Sequence, residues 1–164
     1  RVIATAGGPE KLAIAKKYGA DELIDYRTED IRERVKALRD GRGADAVYDP
    51  VGGSVFDATL RATAQGGRIL IVGFASGTVP QIPANILLVK NITAIGYYWG
   101  AHRKLDPPLV KESFAELMSW YAEGKVKPHV SHVFPLEDVQ KALDTLAGRK
   151  STGKVVVTLT DSDA

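Results

Sequence analysis

Cysteine is absent from this chain of 164 residues. That excludes disulfides, thiolate zinc sites and cysteine nucleophiles, and it fits a reducing compartment. No apolar run approaches the roughly 20 residues that cross a bilayer, so no membrane partner is expected. No secretory leader is visible, because Arg1 runs straight into a strand pattern; the expected location is cytoplasmic. An excess of one charge is missing too. The chain has 22 basic and 20 acidic residues, a net charge of +2, and no nucleic-acid partner is expected. The run Arg32, Arg34, Lys36, Arg39 and Arg42 alternates with Asp30, Glu33 and Asp40, and so reads as a solvated helix face. Also lacking is any G-x-G-x-x-G that leads from a strand into a helix. Gly41-Arg42-Gly43-Ala44-Asp45-Ala46 fits the looser form ending in Ala, but it leads into a strand.

What is present alternates regularly. Val2-Ile3-Ala4-Thr5 reads as a strand, and Pro9 opens a helix that runs to Tyr18 and stops at Gly19. Glu22 to Tyr26 predicts a second strand. Thr28 is the expected N-cap of a helix whose apolar stripe is Ile31, Val35 and Leu38. Ala44 to Asp49 is a third strand; Ser54 then opens a helix with Phe56, Leu60 and Ala64 facing inward. Arg68 to Val72 is a continuous apolar run of the kind found in parallel strands buried on both faces. Past a short segment near Ile86-Leu87-Leu88, Asn91 to Trp99 predicts a fifth strand. A helix from Pro108 to Gly124, a strand at His132 to Phe134, a helix from Leu136 to Leu146 and a strand at Val155 to Val157 follow. Strands alternating with helices predict an α/β fold, a doubly wound parallel sheet of the Rossmann-like kind.

Such a sheet binds ligands beyond the C-terminal ends of its strands. Small residues gather there: Gly7 and Gly8 after the first strand, Gly52 and Gly53 after the third, Gly73 after the fourth. Backbone can approach a flat ligand closely at such places. At the tip that reads the adenosine ribose, an Asp or Glu would hold the 2′-hydroxyl of NAD. Here Thr5, Ala6, Gly7 and Gly8 supply no carboxylate, and Lys11 follows one turn later. This pattern favours NADPH over NADH. His129 and His132 are spaced like metal ligands on a helix, but Pro128 and the strand pattern place them elsewhere. No metal site is expected there. His102 reads as a surface histidine.

An ordered set of segments carries a family resemblance: Val2-Ile3-Ala4-Thr5-Ala6-Gly7, Lys11-Leu12-Ala13, Gly19-Ala20-Asp21, Ile24-Asp25-Tyr26-Arg27, Gly43 to Asp49, Val51-Gly52-Gly53, Gly66-Gly67-Arg68 and Gly153-Lys154-Val155-Val156. Together they resemble the C-terminal half of the NADPH:quinone oxidoreductases, the zeta-crystallin-like branch of the medium-chain dehydrogenase/reductases. The resemblance implies that Lys11 and Tyr26 bind the 2′-phosphate, with Gly7 and Gly8 at the turn. It also implies that Val51, Gly73 and Phe74 lie beside the nicotinamide, and that Arg149 reaches the phosphate.

By the same resemblance the fingerprint lies just before the first strand seen here, so the sheet lacks its first, central strand. Strands two and three of the full order would form one half-sheet and strands four to six another. A slot one strand wide would separate them, about twice the 4.8 Å strand spacing. The chain is therefore expected to be part of a longer protein. Residues 1–124 would be a partial dinucleotide-binding domain, and residues 125–164 a segment returning to a GroES-like catalytic domain. The expected function is zinc-independent, NADPH-dependent hydride transfer to a small-molecule acceptor, a quinone or related enone. The catalytic residues stay unassigned, and the piece alone is expected to be inactive. The alternatives are an enoyl-thioester reductase, a zinc-type alcohol dehydrogenase, or a non-catalytic NADPH binder. Asn91 to Trp99 would be an apolar edge strand through which two copies pair as a homodimer.

Overall fold

The computed structural model describes residues 1–159. The chain divides into two compact units, Arg1–Leu105 and a second from Asp106 onward. The division falls before the long helix that precedes Gly124, the expected boundary, and residues 160–164 of the expected catalytic segment lie outside the described residues.

In the first unit every strand pairing is parallel. β1 (Ile3–Ala6) pairs with β2 (Glu22–Asp25), and α1 (Pro9–Lys17) crosses between them. A separate three-stranded sheet has the order β3 (Ala44–Asp49), β4 (Thr63–Ile71), β5 (Thr93–Gly96). Its connections carry α3 (Gly53–Ala62) and α4 (Ala84–Lys90), while α2 (Ile31–Leu38) links the two sheets along the chain. The expected split into two half-sheets is therefore present. Between β1 and β3 lies a groove of about 450 Å³, bordered by Ile3 and Thr5 on one side and Ala44, Ala46 and Tyr48 on the other, with Ile31 and Val35 also lining it. Tyr48 is 69% exposed because no neighbouring strand covers it.

The core divides in the same way. Ile24, Ile31 and Val35 cluster with Ala62 of α3, and Val55 and Ala58 pack against them, so α3 ties the half-sheets together. Phe56, Leu60, Ile69 and Ile92 form the other cluster. Lys90 closes the C-terminal end of α3, its Nζ donating to the Arg61 carbonyl at 3.0 Å and also to the Thr63 carbonyl. Partial burial, followed by the charges of Arg32 and Lys36, pushes its pKa down.

Several boundaries differ from expectation. The N-cap of α2 is Asp30, whose carboxylate accepts from the Glu33 amide at 2.9 Å. Thr28 lies in the turn before the helix, where its amide and that of Glu29 donate to the Asp25 carbonyl, and the first helical residue is Ile31, so the capping position falls on Asp30. Helix α3 starts one residue before Ser54 and runs directly into β4, so Ala64 is buried in the strand and not on the helix. Asn91 ends α4 in the left-handed region (φ 52°), which asparagine tolerates, and does not begin β5. At its other end β5 stops at Gly96, paired with Ile71. Its only neighbour among the described residues, β4, ends there; the Tyr97 amide makes a last bond to the Ile71 carbonyl at 2.9 Å, and Trp99–Ala101 form a 3₁₀ turn before the short α5 (His102–Leu105). The basic run is threaded with ion pairs, Arg34 to Glu29, Lys36 to Glu33 and Arg39 to Asp45, as a solvated helix face requires.

The second unit holds α6 (Pro107–Ala122), capped by Asp106, and the parallel pair β6 (Val130–Pro135) and β7 (Lys154–Thr158) joined through α7 (Val139–Ala147). Ala142 is the buried residue of α7. No described helix is long and apolar enough to cross a membrane.

Candidate functional site

Two clusters form at the C-terminal ends of the strands of the first unit. The first is the turn from β1 into α1. Gly8 sits at φ 95°, a conformation that side-chain-bearing residues rarely adopt, and Pro9 follows at the first helical position. Both Gly7 and Gly8 are buried. A Cβ placed on Gly7 would stand 2.7 Å from Arg27 Nε and 2.8 Å from the Tyr26 hydroxyl; one on Gly8 would stand 3.0 Å from Arg27 Nη1. The glycine pair thus makes room for a phenol and a guanidinium that lie over it. Tyr26, 41% exposed, comes to this place because its amide extends the ladder to the Ala6 carbonyl at 3.3 Å.

Asp25, at the end of β2, organises the turn. Its Oδ1 accepts from the Gly8 amide at 3.2 Å and the Arg27 amide at 3.0 Å, while its own amide donates to Glu29 Oε2 at 2.8 Å. The tip of β1 itself carries no carboxylate, as read from the sequence. The neighbouring strand nonetheless brings one to the Gly8 amide. Lys11 is half-buried on the first turn of α1.

The second cluster joins the loops after β3 and β4. Asp49 is buried, and its Oδ1 accepts from the amides of Val51 at 2.7 Å and Gly52 at 3.1 Å. This is the local turn that Asp makes with backbone two residues on. Its Oδ2 is buried without a hydrogen-bond partner among the described residues. Three backbone bonds then zip the loops together: Ala75 amide to Pro50 carbonyl at 3.0 Å, Ser76 amide to Val51 carbonyl at 2.9 Å, and Gly53 amide to Thr78 carbonyl at 3.1 Å. A Cβ on Gly52 (φ +71°) would meet the Thr78 carbonyl at 2.8 Å and the Phe74 ring at 3.1 Å; one on Gly73 would stand 3.3 Å from the Pro50 carbonyl. Val51, Gly73 and Phe74 therefore belong to one close-packed lip, with Phe74 42% exposed.

The other candidates lie elsewhere. Arg149 is in the second unit, just past α7, at φ 54°. His129 is within 3.3 Å of the Thr152 hydroxyl, and the His132 ring stacks on Phe134 at 6.1 Å. Neither belongs to a group of three potential metal donors among the described residues. His102 is only half-exposed, with its ring 5.6 Å from that of Tyr97, and its Nδ1 is buried without a hydrogen-bond partner among the described residues. The expected surface histidine is thus partly enclosed, because the 3₁₀ turn at Trp99 folds it back toward Tyr97. Sequence reasoning missed Asp25 and Asp49 as site residues and gave Arg27, placed after the second strand, no role. The usable signals were the adjacency of Arg27 to Tyr26 in one short turn and the Asp-Pro-x-Gly spacing that begins at Asp49.

The sequence profile described as zinc-binding dehydrogenase matches residues 18–157. Among curated proteins, the quinone oxidoreductase-like protein 2 homolog of Nematostella vectensis is 50% identical, over 93% of this chain and 42% of that protein. An NAD-dependent alcohol dehydrogenase of known structure is 36% identical with a TM-score of 0.81, over 98% of this chain and 44% of the other. A mycobacterial protein solved in complex with NADPH is 32% identical with a TM-score of 0.83, over 96% and 49% respectively. The chain spans about half the length of the curated relatives it matches. With a profile match over most of its residues, this chain belongs to the zinc-binding dehydrogenase family, on its quinone oxidoreductase branch.

Proposed function

We propose that the protein is an oxidoreductase that uses NADPH to reduce a small quinone or related enone, and that this chain supplies cofactor-binding surface. The observation that carries the reading is the turn at Gly7 and Gly8, where two side-chain-free positions lie beneath the Tyr26 hydroxyl and the Arg27 guanidinium. These residues fit a phosphorylated ribose; the lip of Val51, Gly52, Gly73 and Phe74, whose glycines let the two loops pack closely and which leaves the Phe74 ring part-exposed, is the surface we assign to the flat nicotinamide end. Bound NADPH supplies the hydride; the protein orients it and excludes water. Lys11 adds positive charge from α1.

The reaction is read as independent of zinc. A quinone accepts hydride at a carbonyl-conjugated system that is already polarised. The test is stopped-flow oxidation of NADPH with a quinone, with an enoyl-CoA, and with no acceptor. Turnover with the quinone, undiminished by a chelator, is the expected result. Turnover with enoyl-CoA alone would replace the quinone by an enoyl-thioester, and binding without turnover would make the protein a nucleotide-binding relative.

Self-association through β5 belongs to the same proposal. Among the described residues the strand is the edge of its sheet, and Ile95 on it and Tyr97 and Tyr98 just past it are 40%, 41% and 75% exposed. An apolar edge with unpaired backbone invites a second copy to extend the sheet. Light scattering at micromolar concentration is expected to give a dimer, and Ile95→Lys a monomer. A monomeric wild-type protein would contradict the pairing.

A further inference from the structure

We infer that Arg27 is the residue that reads the nucleotide 2′-phosphate and so sets the choice between NADPH and NADH. The inference rests on the reductase reading and adds to it the determinant of cofactor choice. Family membership does not decide that choice, since structures similar to this chain include an NAD-dependent dehydrogenase and a protein bound to NADPH. Local side chains must decide it.

Arg27 is exposed, and among the described residues its guanidinium makes no ion pair within 4.0 Å. Its position is nonetheless defined. The backbone amide is anchored on Asp25 Oδ1, and the guanidinium lies over the β1 tip, with Nε near the space above Gly7 and Nη1 near that above Gly8. The Tyr26 hydroxyl shares that space. A planar fork of donors beside a phenol matches a phosphate monoester, which accepts several charge-assisted hydrogen bonds at once. An arginine held over two glycines adds a fork of donors at the turn itself, which Lys11, further along α1, does not supply.

The opposing charge is accounted for. Asp25 is the carboxylate nearest in the chain, and its Oδ1 is turned onto the amides of Gly8 and Arg27. Held there it stabilises the turn without forming an ion pair with the Arg27 side chain. The phosphate therefore meets an arginine whose charge has not been neutralised by the protein.

The test is titration of the protein with NADPH and with NADH, following nucleotide fluorescence, for wild type, Arg27→Ala and Arg27→Lys. Arg27→Ala is expected to weaken NADPH about ten- to a hundred-fold, the size of a lost charge-assisted contact, and to leave NADH unchanged. Arg27→Lys is expected to recover part of the loss, because an ammonium keeps the charge without the fork. An alanine variant with the wild-type ratio of affinities, or one that loses both nucleotides equally, overturns the assignment and leaves the reductase reading intact. So does a wild type that binds NADH as tightly as NADPH. Wild type that binds neither nucleotide overturns both. Should the alanine variant fail to fold, the lysine variant carries the same comparison, since it must lose NADPH selectively.

Discussion

Gly7→Asp is expected to reverse the nucleotide preference. The backbone at Gly7 lies outside the left-handed region, so a side chain is conformationally admissible there. Its Cβ would approach Arg27 Nε at 2.7 Å, the Tyr26 hydroxyl at 2.8 Å and Tyr26 Cζ at 2.9 Å, so both side chains, which are exposed to solvent, must shift outward to admit it. The new carboxylate would then do three things. It would pair with the Arg27 guanidinium, repel a 2′-phosphate, and offer an unphosphorylated ribose the acceptor that holds its 2′-hydroxyl. Loss of a charge-assisted contact removes about 1.5–3 kcal/mol, and a like charge at about 4 Å in water adds roughly 1 kcal/mol. Together these weaken NADPH by about a hundred- to a thousand-fold, while NADH binds as well as before or better. Fluorescence titration of both nucleotides measures the change. An unaltered NADPH affinity would mean that the phosphate binds away from this turn.

The second large effect is structural. Phe56→Ala empties the centre of the cluster under the three-stranded sheet, where Phe56 and Ile69 are 0% and Leu60 1% exposed. Truncating a buried Phe leaves a cavity as well as losing transfer energy, together about 3–5 kcal/mol. Domains have only about 5–15 kcal/mol in total, so the variant should unfold at markedly lower urea concentration or temperature. Leu88→Ala is the matched control. Leu88 is 77% exposed, and its loss in the isolated chain should change stability by no more than about 0.5 kcal/mol. Similar midpoints for both variants would mean that Phe56 does not anchor this sheet.

Much of the architecture is legible in single residues because the signals are local. Pro9 after a glycine pair starts α1, the β-branched run at Arg68 to Val72 marks the sheet interior, and Gly19 and Gly124 stop their helices at positive φ. The errors arise where two local signals compete. Thr28 and Asp30 are both good caps; Thr28 lies in the turn closed on the Asp25 carbonyl, and with Ile31 the first helical residue the capping position falls on Asp30. The β-branched and aromatic run from Asn91 to Trp99 predicts a long strand, yet an edge strand lasts only as long as its neighbour, and β4 ends at Ile71.

For the candidate site, residue types and their spacing alone establish a side-chain-poor turn without a carboxylate on β1, followed by Lys11. The split of the sheet is not in that pattern: alternation gives parallel strands but no strand order, and the order comes from the family resemblance. Which charged groups converge on that turn depends on parallel pairing of β1 with β2, residues about twenty apart in sequence. That pairing sets Asp25 beside Gly8 and hangs Tyr26 and Arg27 over the glycines. It likewise takes the bonding of two loops, after β3 and β4, to make Asp49 and Phe74 parts of one lip. Contacts of this kind depend on strand register and chain reversal, and a linear pattern of residue types does not encode the distance between side chains on adjacent strands.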